Sequence, residues 1–329
     1  MLLFGARAAH TATMWSQMSL TVLSRILAAC APDTVDRWAG MLGSVAFHLG
    51  IRRRVVQENL RIVFDGTVHA SRRRDMGRRS YCSIAASLLA VVHWGRRGGA
   101  KHVVQVMCPA YMQMLAQRYP AVVLLASHMG VWDLAAATVT RYWPLQAYAT
   151  PQHNPDADAW INAQREALGI RVLLAKHGDR KGALRALRGL RSGVSLGLLA
   201  DQGPRRAHGQ GGWFLGQAVS CHVGPGFFAS RAQVPVVAGV CVRYRAGQYR
   251  LYMARPLFPA GDQSEQLNQA CLDLVSALVQ ALPGQYFWHH RRFKYRMPAP
   301  PRPYQPWRQW GLGIWAQPQR LLTDSSEHR

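Results

Sequence analysis

Apolar and polar positions change their rhythm partway along the chain. Through the first 110 residues, apolar side chains fall between arginines at helical spacing, which predicts helices over about 34–49, 52–63 and 71–93. No strand pattern stands out in that region. From Ala121 the pattern shifts to short apolar runs, Ala121–Ala126 and then 170–174, 194–199 and 235–242, of strand length and without alternation, as expected of strands buried on both faces. Amphipathic stretches at 132–142, 155–168, 179–191 and 223–232 lie between them. Alternating strands and helices predict an α/β fold: a mixed, largely parallel sheet covered by helices, preceded by a mostly helical N-terminal region. Tyr249–Ala254 alternates like a more exposed strand, and 263–282 reads as one more helix. Pro298–Pro306 cannot continue a helix. The expected divisions are a helical, membrane-associating region at 1–110, an α/β core at 111–297, and a Pro-rich basic tail at 298–329.

The mildly apolar segment Thr11–Ala31 carries Arg25 among several serines and threonines, which argues against a membrane span or a signal peptide. Trp15, Met18, Val22 and Ile26 recur at helical spacing, with Leu23 and Leu27 widening the stripe. Such a helix lies in a membrane interface or packs on the domain.

Charge narrows the partners. Forty Lys and Arg against 16 Asp and Glu give a net +24 over 329 residues, which favours nucleic acid, an anionic bilayer or an acidic protein. The arginines come in short clusters such as Arg52–Arg54, Arg72–Arg74 and Arg291–Arg292, spread through the chain. A nucleic-acid reader would carry a groove helix or a stacking platform, and neither is recognisable, so this alternative ranks last. The six cysteines are widely spaced with no C-x-x-C, so no zinc site or disulfide framework is suggested, and reduced thiols in a cytoplasmic compartment fit. Gly209, Gly211 and Gly212 lack the lysine of a P-loop and read as a loop. No metal or bound cofactor is implied.

The chemistry concentrates after the first core strand, where Ser127-His128-Met129-Gly130-Val131-Trp132-Asp133 leads into a helix. In open α/β sheets, ligands bind beyond the carboxyl ends of strands. On one continuous helix, five residues would set His128 and Asp133 about 140° apart. With His128 in a turn eased by Gly130 and Asp133 at the helix start, the carboxylate can reach back to the imidazole. Asp133 would then fix the tautomer while the other ring nitrogen takes a proton from an acceptor hydroxyl. Backbone N–H groups at the helix start, or an arginine, are candidate oxyanion donors.

Several segments then carry a family resemblance. Arg54-Val55-Val56-Gln57-Glu58-Asn59-Leu60-Arg61, the Ser127–Asp133 block, Asn154-Pro155 with Asp158, and Arg165-x-x-x-Gly169 occur in order. They are followed by Asp201-Gln202, Gly212-Trp213-Phe214-Leu215-Gly216, Gly224-Pro225, and Tyr286-Phe287-Trp288-His289-His290-Arg291-Arg292-Phe293-Lys294. In this the chain resembles the late acyltransferases of lipid A biosynthesis, the lauroyl- and myristoyl-transferring enzymes of the lysophospholipid acyltransferase superfamily. Leu199-Ala200-Asp201-Gln202-Gly203 stands where glycerolipid acyltransferases carry a Phe-Pro-Glu-Gly-Thr-like block, which favours the lipid A branch or its glycolipid-acylating cousins. The chain departs from the pattern in having Asp133 where many members have glutamate, and in its weak N-terminal anchor.

The resemblance implies transfer of a fatty acyl group from acyl-carrier protein or acyl-CoA to a lipid hydroxyl, with His128 and Asp133 as the catalytic pair, on the cytoplasmic face of the bacterial inner membrane. A lysophospholipid or another lipid acceptor is the alternative. It also places Arg165 and Asp201 near the active centre. Arg165 would bind a phosphate or polarise the acyl carbonyl, and Asp201 would orient that arginine or a sugar hydroxyl. Gln202, Lys176 and Arg206 are further candidates for substrate contacts. The aromatic and basic block Trp288–Lys294 suits the headgroup level of an anionic membrane, or else packs on the core.

Overall fold

The computed structural model describes residues 21–97, 103–151, 154–174, 179–204, 209–259, 261, 264–295 and 297. Residues 21–29 are helical (α1), followed by helices Pro32–His48 (α2), Arg53–Phe64 (α3) and Ala70–Arg96 (α4). The last three coincide with the expected helices to within a few residues. Gly43 of α2 lies against the α4 backbone, where an added Cβ would stand 2.5 Å from Cys82 Cα, so the small residue lets the two helices touch.

The core is a seven-stranded sheet in the order β1-β9-β8-β2-β5-β3-β4. Its strands are Val104–Val106 (β1), Val123–Ala126 (β2), Leu145–Ala149 (β3), Arg171–Leu174 (β4), Ser195–Leu199 (β5), Val236–Arg245 (β8) and Gln248–Met253 (β9). A hairpin of Gln210–Phe214 (β6) and Gln217–Cys221 (β7) stands apart. All pairings in the large sheet are parallel except β8 with β9. Helices Pro109–Arg118 (α5), Trp132–Val139 (α6), Pro155–Ala167 (α7), Arg180–Arg191 (α8), Gly224–Ala232 (α9) and Ser264–Ala281 (α10) complete the described elements. The α/β sheet covered by helices is therefore as the alternation predicts.

Alternate residues of the central strands serve two apolar layers. Val123 and Leu125 face a cluster that includes Leu60 of α3, Leu187 of α8, Phe228 of α9 and Leu274 of α10. Val122 and Leu124 face the other, with Val91 of α4, Met112 of α5 and Leu134 of α6. Each such side chain contributes roughly 1.5–3 kcal/mol on burial. Because Phe47, Val56 and Tyr81 belong to the first cluster, the N-terminal helices and the sheet share one core.

Several local expectations are corrected. A strand, β1, does occur before residue 110, too short at three residues to leave a pattern. β4 is an edge strand, and its ends Arg171 and Leu174 are exposed, so the run at 170–174 is not buried on both faces. β9 lies between β1 and β8, and Leu251, Tyr252 and Met253 are buried, so its partial alternation does not mean exposure. Gly211 and Gly212 sit in strand β6 in place of a loop. There, a Cβ on Gly212 would come within 2.9 Å of Cys221 Sγ. Of the N-terminal stripe, Leu27 is buried while Val22 and Ile26 are exposed; Trp15 and Met18 lie outside the described residues, as does Pro298–Pro306. Among the described residues, no helix is long and apolar enough to cross a membrane.

Candidate active site

Strand β2 pairs in parallel with β5 on one side and β8 on the other, and the turn at 127–131 leaves its carboxyl end between them. The turn is tied on both flanks. Val131 N donates to Cys241 O of β8 at 2.8 Å, Gly130 N to Gln285 O at 2.9 Å, and Phe287 N to His128 O at 2.9 Å. Gly130 has φ +60°, and a Cβ there would stand 2.1 Å from Cys241 O, so no other residue fits without moving β8. His128 thus sits in a turn and Asp133 in the first turn of α6, as the spacing required.

Their partners are different from those expected. His128 Nδ1 bonds Asp201 Oδ1 at 2.8 Å, and the His128 backbone N donates to the same oxygen at 3.1 Å. Asp133 Oδ1 instead accepts from Arg165 Nε at 2.8 Å. The strand register explains the exchange. Ala126 pairs with Leu199, so His128 and Asp201, each two residues further on, leave neighbouring strands side by side. Asp133, carried onto α6, meets α7 and its Arg165, whose Nη1 also donates to Asn162 Oδ1 at 3.2 Å. The expected pairing of Asp201 with Arg165 is corrected in the same way.

Asp201 is fully buried, and burial raises its pKa, but the adjacent His128 charge and the two bonds from His128 outweigh this and hold it below the usual aspartate value. An ionised carboxylate can only accept, so Nδ1 carries a proton, and in the neutral form of the ring the lone pair is on Nε2. The His128 side chain is 21% exposed, open enough to meet a substrate. Trp132 and Phe287 flank the ring at 5.5 and 5.9 Å between centroids. Beside the carboxylate, the buried Tyr286 phenol is raised well above its ordinary pKa, by burial first and then by the Asp201 charge. Burial, with Arg292 nearby, lowers His290 to about 4 against the opposing pull of Asp201, so its imidazole is neutral at neutral pH.

Asp133 and Arg165 stand at the rim of an apolar cavity of about 90 Å³ between α6 and the sheet, whose wall includes Trp132, Val139, Tyr148, Gly197, Leu198 and Gly239. Among the described residues they are its only charged lining residues. Gln202 follows Asp201 and is half-buried. Lys176 and Arg206 lie outside the described residues.

Other blocks of the resemblance are scaffolding. Asn154 caps α7, its side chain accepting from Asp156 N and Ala157 N. Leu215 and Gly216, at φ +50° and +79°, make the tight turn of the β6–β7 hairpin. The C-terminal block is a packed strap in place of a membrane-facing one: Trp288 is 1% and Arg292 3% exposed, and only Arg291 and Lys294 of its basic residues are open to solvent. Asn59 of α3 holds the strap, donating to Trp288 O and His290 O at 2.7 Å each. Arg292 lies over the Phe214 ring at 4.7 Å and donates to Ser220 O. Tyr286 and Phe287 belong to the same C-terminal block, but nothing in the sequence signals that Phe287 flanks His128 and Tyr286 lies beside Asp201.

No curated protein matched the chain. The model of the bacterial lipid A biosynthesis acyltransferases matches residues 5–295, nearly the whole chain, and the protein belongs to this acyltransferase family.

Proposed function

We propose that the protein transfers a fatty acyl group from the thioester of acyl-carrier protein or acyl-CoA to a hydroxyl of a lipid A-type or related glycolipid acceptor. The observation that carries this reading is the His128 Nδ1–Asp201 bond on a partly exposed imidazole. Nε2 takes the proton of the acceptor hydroxyl as its oxygen attacks the thioester carbonyl, and Asp201 stabilises the resulting imidazolium. Arg165, oriented by Asp133 and Asn162, directs its remaining guanidinium N–H groups at the oxyanion. The tetrahedral intermediate collapses with loss of the thiolate, which recovers the proton from the imidazolium. Asp133 acts here through Arg165 and not on the histidine. The apolar cavity beside Asp133 takes part of the acyl chain.

An anionic membrane surface is the proposed location, at the cytoplasmic face of the inner membrane. Supporting it, Met41, Val45, Leu49 and Ile51 are exposed large apolar side chains in and just after α2, followed directly by Arg52–Arg54. Mass spectrometry of lipids from cells with the protein, without it and with His128→Ala tests the proposal. One lipid species should gain an acyl chain with the wild type alone. Restoration of that species by His128→Ala would falsify the general-base role.

A further inference from the structure

A second concavity, of about 510 Å³, opens between α4, the end of β8 and the turn at Pro283–Gln285, and His128 does not line it. Four arginines converge there from two elements, Arg72, Arg78 and Arg79 of α4 and Arg243 of β8, joined by the neutral Ser83 and Gln285. Asp75, bonded to Arg78 at 3.1 Å and to Arg79 at 2.6 Å, fixes two of the guanidinium groups without neutralising the set. Asp36 holds Arg243 at 3.3 Å. Four cations against two carboxylates leave the wall positive, although each carboxylate is placed as an orienting partner. Gly284 packs on Arg79, where a Cβ would meet Arg79 Cβ at 3.0 Å, so the turn and the arginine are mutually fitted.

The cleft adjoins the catalytic turn. Gln285, in its wall, accepts from Gly130 N through its carbonyl and exchanges two bonds with the Arg243 backbone at 3.2 and 3.0 Å. Because Leu125 pairs with Ala238, Arg243 stands five residues past that level. At about 3.3 Å per residue it therefore projects roughly 16 Å toward the side on which His128 emerges.

We propose that this cleft binds a phosphate ester of a substrate while the reacting groups meet at His128; the second half of this statement rests on the acyl-transfer reading above. Forked guanidinium groups from two elements match the oxygens of a phosphate, and the volume accommodates more than a lone ion. The phosphate has two sources, the nucleotide end of a coenzyme A donor or the headgroup of the lipid acceptor. The chemistry of the site is the same for both.

Direct binding without turnover tests the proposal on the full-length protein. One probe is adenosine 3′,5′-bisphosphate, read by calorimetry. The other is phosphatidylcholine vesicles containing phosphatidic acid, read by co-sedimentation. Wild type should bind at least one probe, and Arg72→Gln with Arg78→Gln should weaken that binding about tenfold to a hundredfold. Arg185→Gln with Arg188→Gln, which removes equal charge from the exposed face of α8, should change it less than about threefold. The responding probe identifies the source. The single variant Arg72→Gln leaves both Asp75 ion pairs intact and should still cost about tenfold, so it replaces the double variant if that one loses its thermal transition. Binding of neither probe by wild type, or equal loss in the α4 and α8 variants, overturns the cleft. Absence of acyl transfer with arginine-dependent binding intact would instead count against the acyl-transfer reading alone.

Discussion

Replacing Asp201 by asparagine isolates the charge behind His128 from the geometry that holds it. The His128 backbone N–H donates to Asp201 Oδ1 at 3.1 Å, so it keeps the amide oxygen of Asp201→Asn turned toward the histidine, and Nδ1–H keeps its acceptor at the 2.8 Å position. The tautomer survives and the negative charge is lost. With the charges about 4 Å apart and an effective dielectric of about 20, the attraction between carboxylate and imidazolium is about 4 kcal/mol. This interaction develops only as the proton is taken, so its loss falls on kcat and amounts to about a thousandfold. The assay is the initial rate of acylated-lipid formation by mass spectrometry, in membranes with purified protein and saturating acyl donor. Circular dichroism checks that the variant is folded. A folded Asp201→Asn enzyme within tenfold of wild-type kcat refutes the assignment of Asp201 as the partner of the base.

Gly130→Ala should lower stability by about 2–3 kcal/mol, from a residue held at φ +60° and a contact of 2.1 Å with Cys241 O, and the thermal midpoint should fall by several degrees. An unchanged midpoint would show that the turn can relax away from β8. Gly197→Val adds volume to the wall of the apolar cavity beside Asp133, so the acyl chains transferred should become shorter; an unaltered product distribution at full rate excludes that cavity as the acyl site. Stability should fall as the pH drops from about 6 to 4. His289 and His290 are lowered to about 4 in the fold from 6.5, so both are charged only in the unfolded chain across that window, whereas Asp273, raised to about 6 from 3.8, is protonated only in the native state. For these three groups two protons gained on unfolding against one released leave a net uptake of one, about 1.4 kcal/mol per pH unit, and His93, also lowered by burial, adds in the same direction. Urea unfolding at three pH values measures it, and greater stability at pH 4.5 than at 6 contradicts the balance.

The sheet was legible because its central strands are apolar without interruption and its helices are amphipathic, and both patterns are local. β3 escaped because Gln146 breaks its apolar run, and the β6–β7 hairpin because Gly211 and Gly212 stand within β6 and read as a loop. For the site, the motif led to the correct turn and helix start, but to the wrong partner. A spacing of five residues invited a local pair, whereas Asp201 reaches His128 through strand register across 73 residues. The same limit left two readings open for Trp288 and Arg292, and the structure takes the packed one. An aromatic and basic block has the composition of a membrane-facing segment, and only the bonds from Asn59 and the ring of Phe214 show it to be internal.

The strap has a consequence for the order in which the protein becomes active. Met129 bridges to Tyr286, Phe287 N reaches back to His128 O, and Ser80 Oγ donates to Tyr286 O, so the turn that carries the histidine is braced by residues more than 150 positions downstream. A nascent chain can assemble its N-terminal helices and central strands before residues 285–293 emerge, and until then the imidazole lacks its backing. Contacts of such long sequence separation form late. The geometry on which the proposed catalysis depends is thereby tied to the emergence of residues 285–293, and a chain cut before Gln285 would have the sheet without the braced histidine.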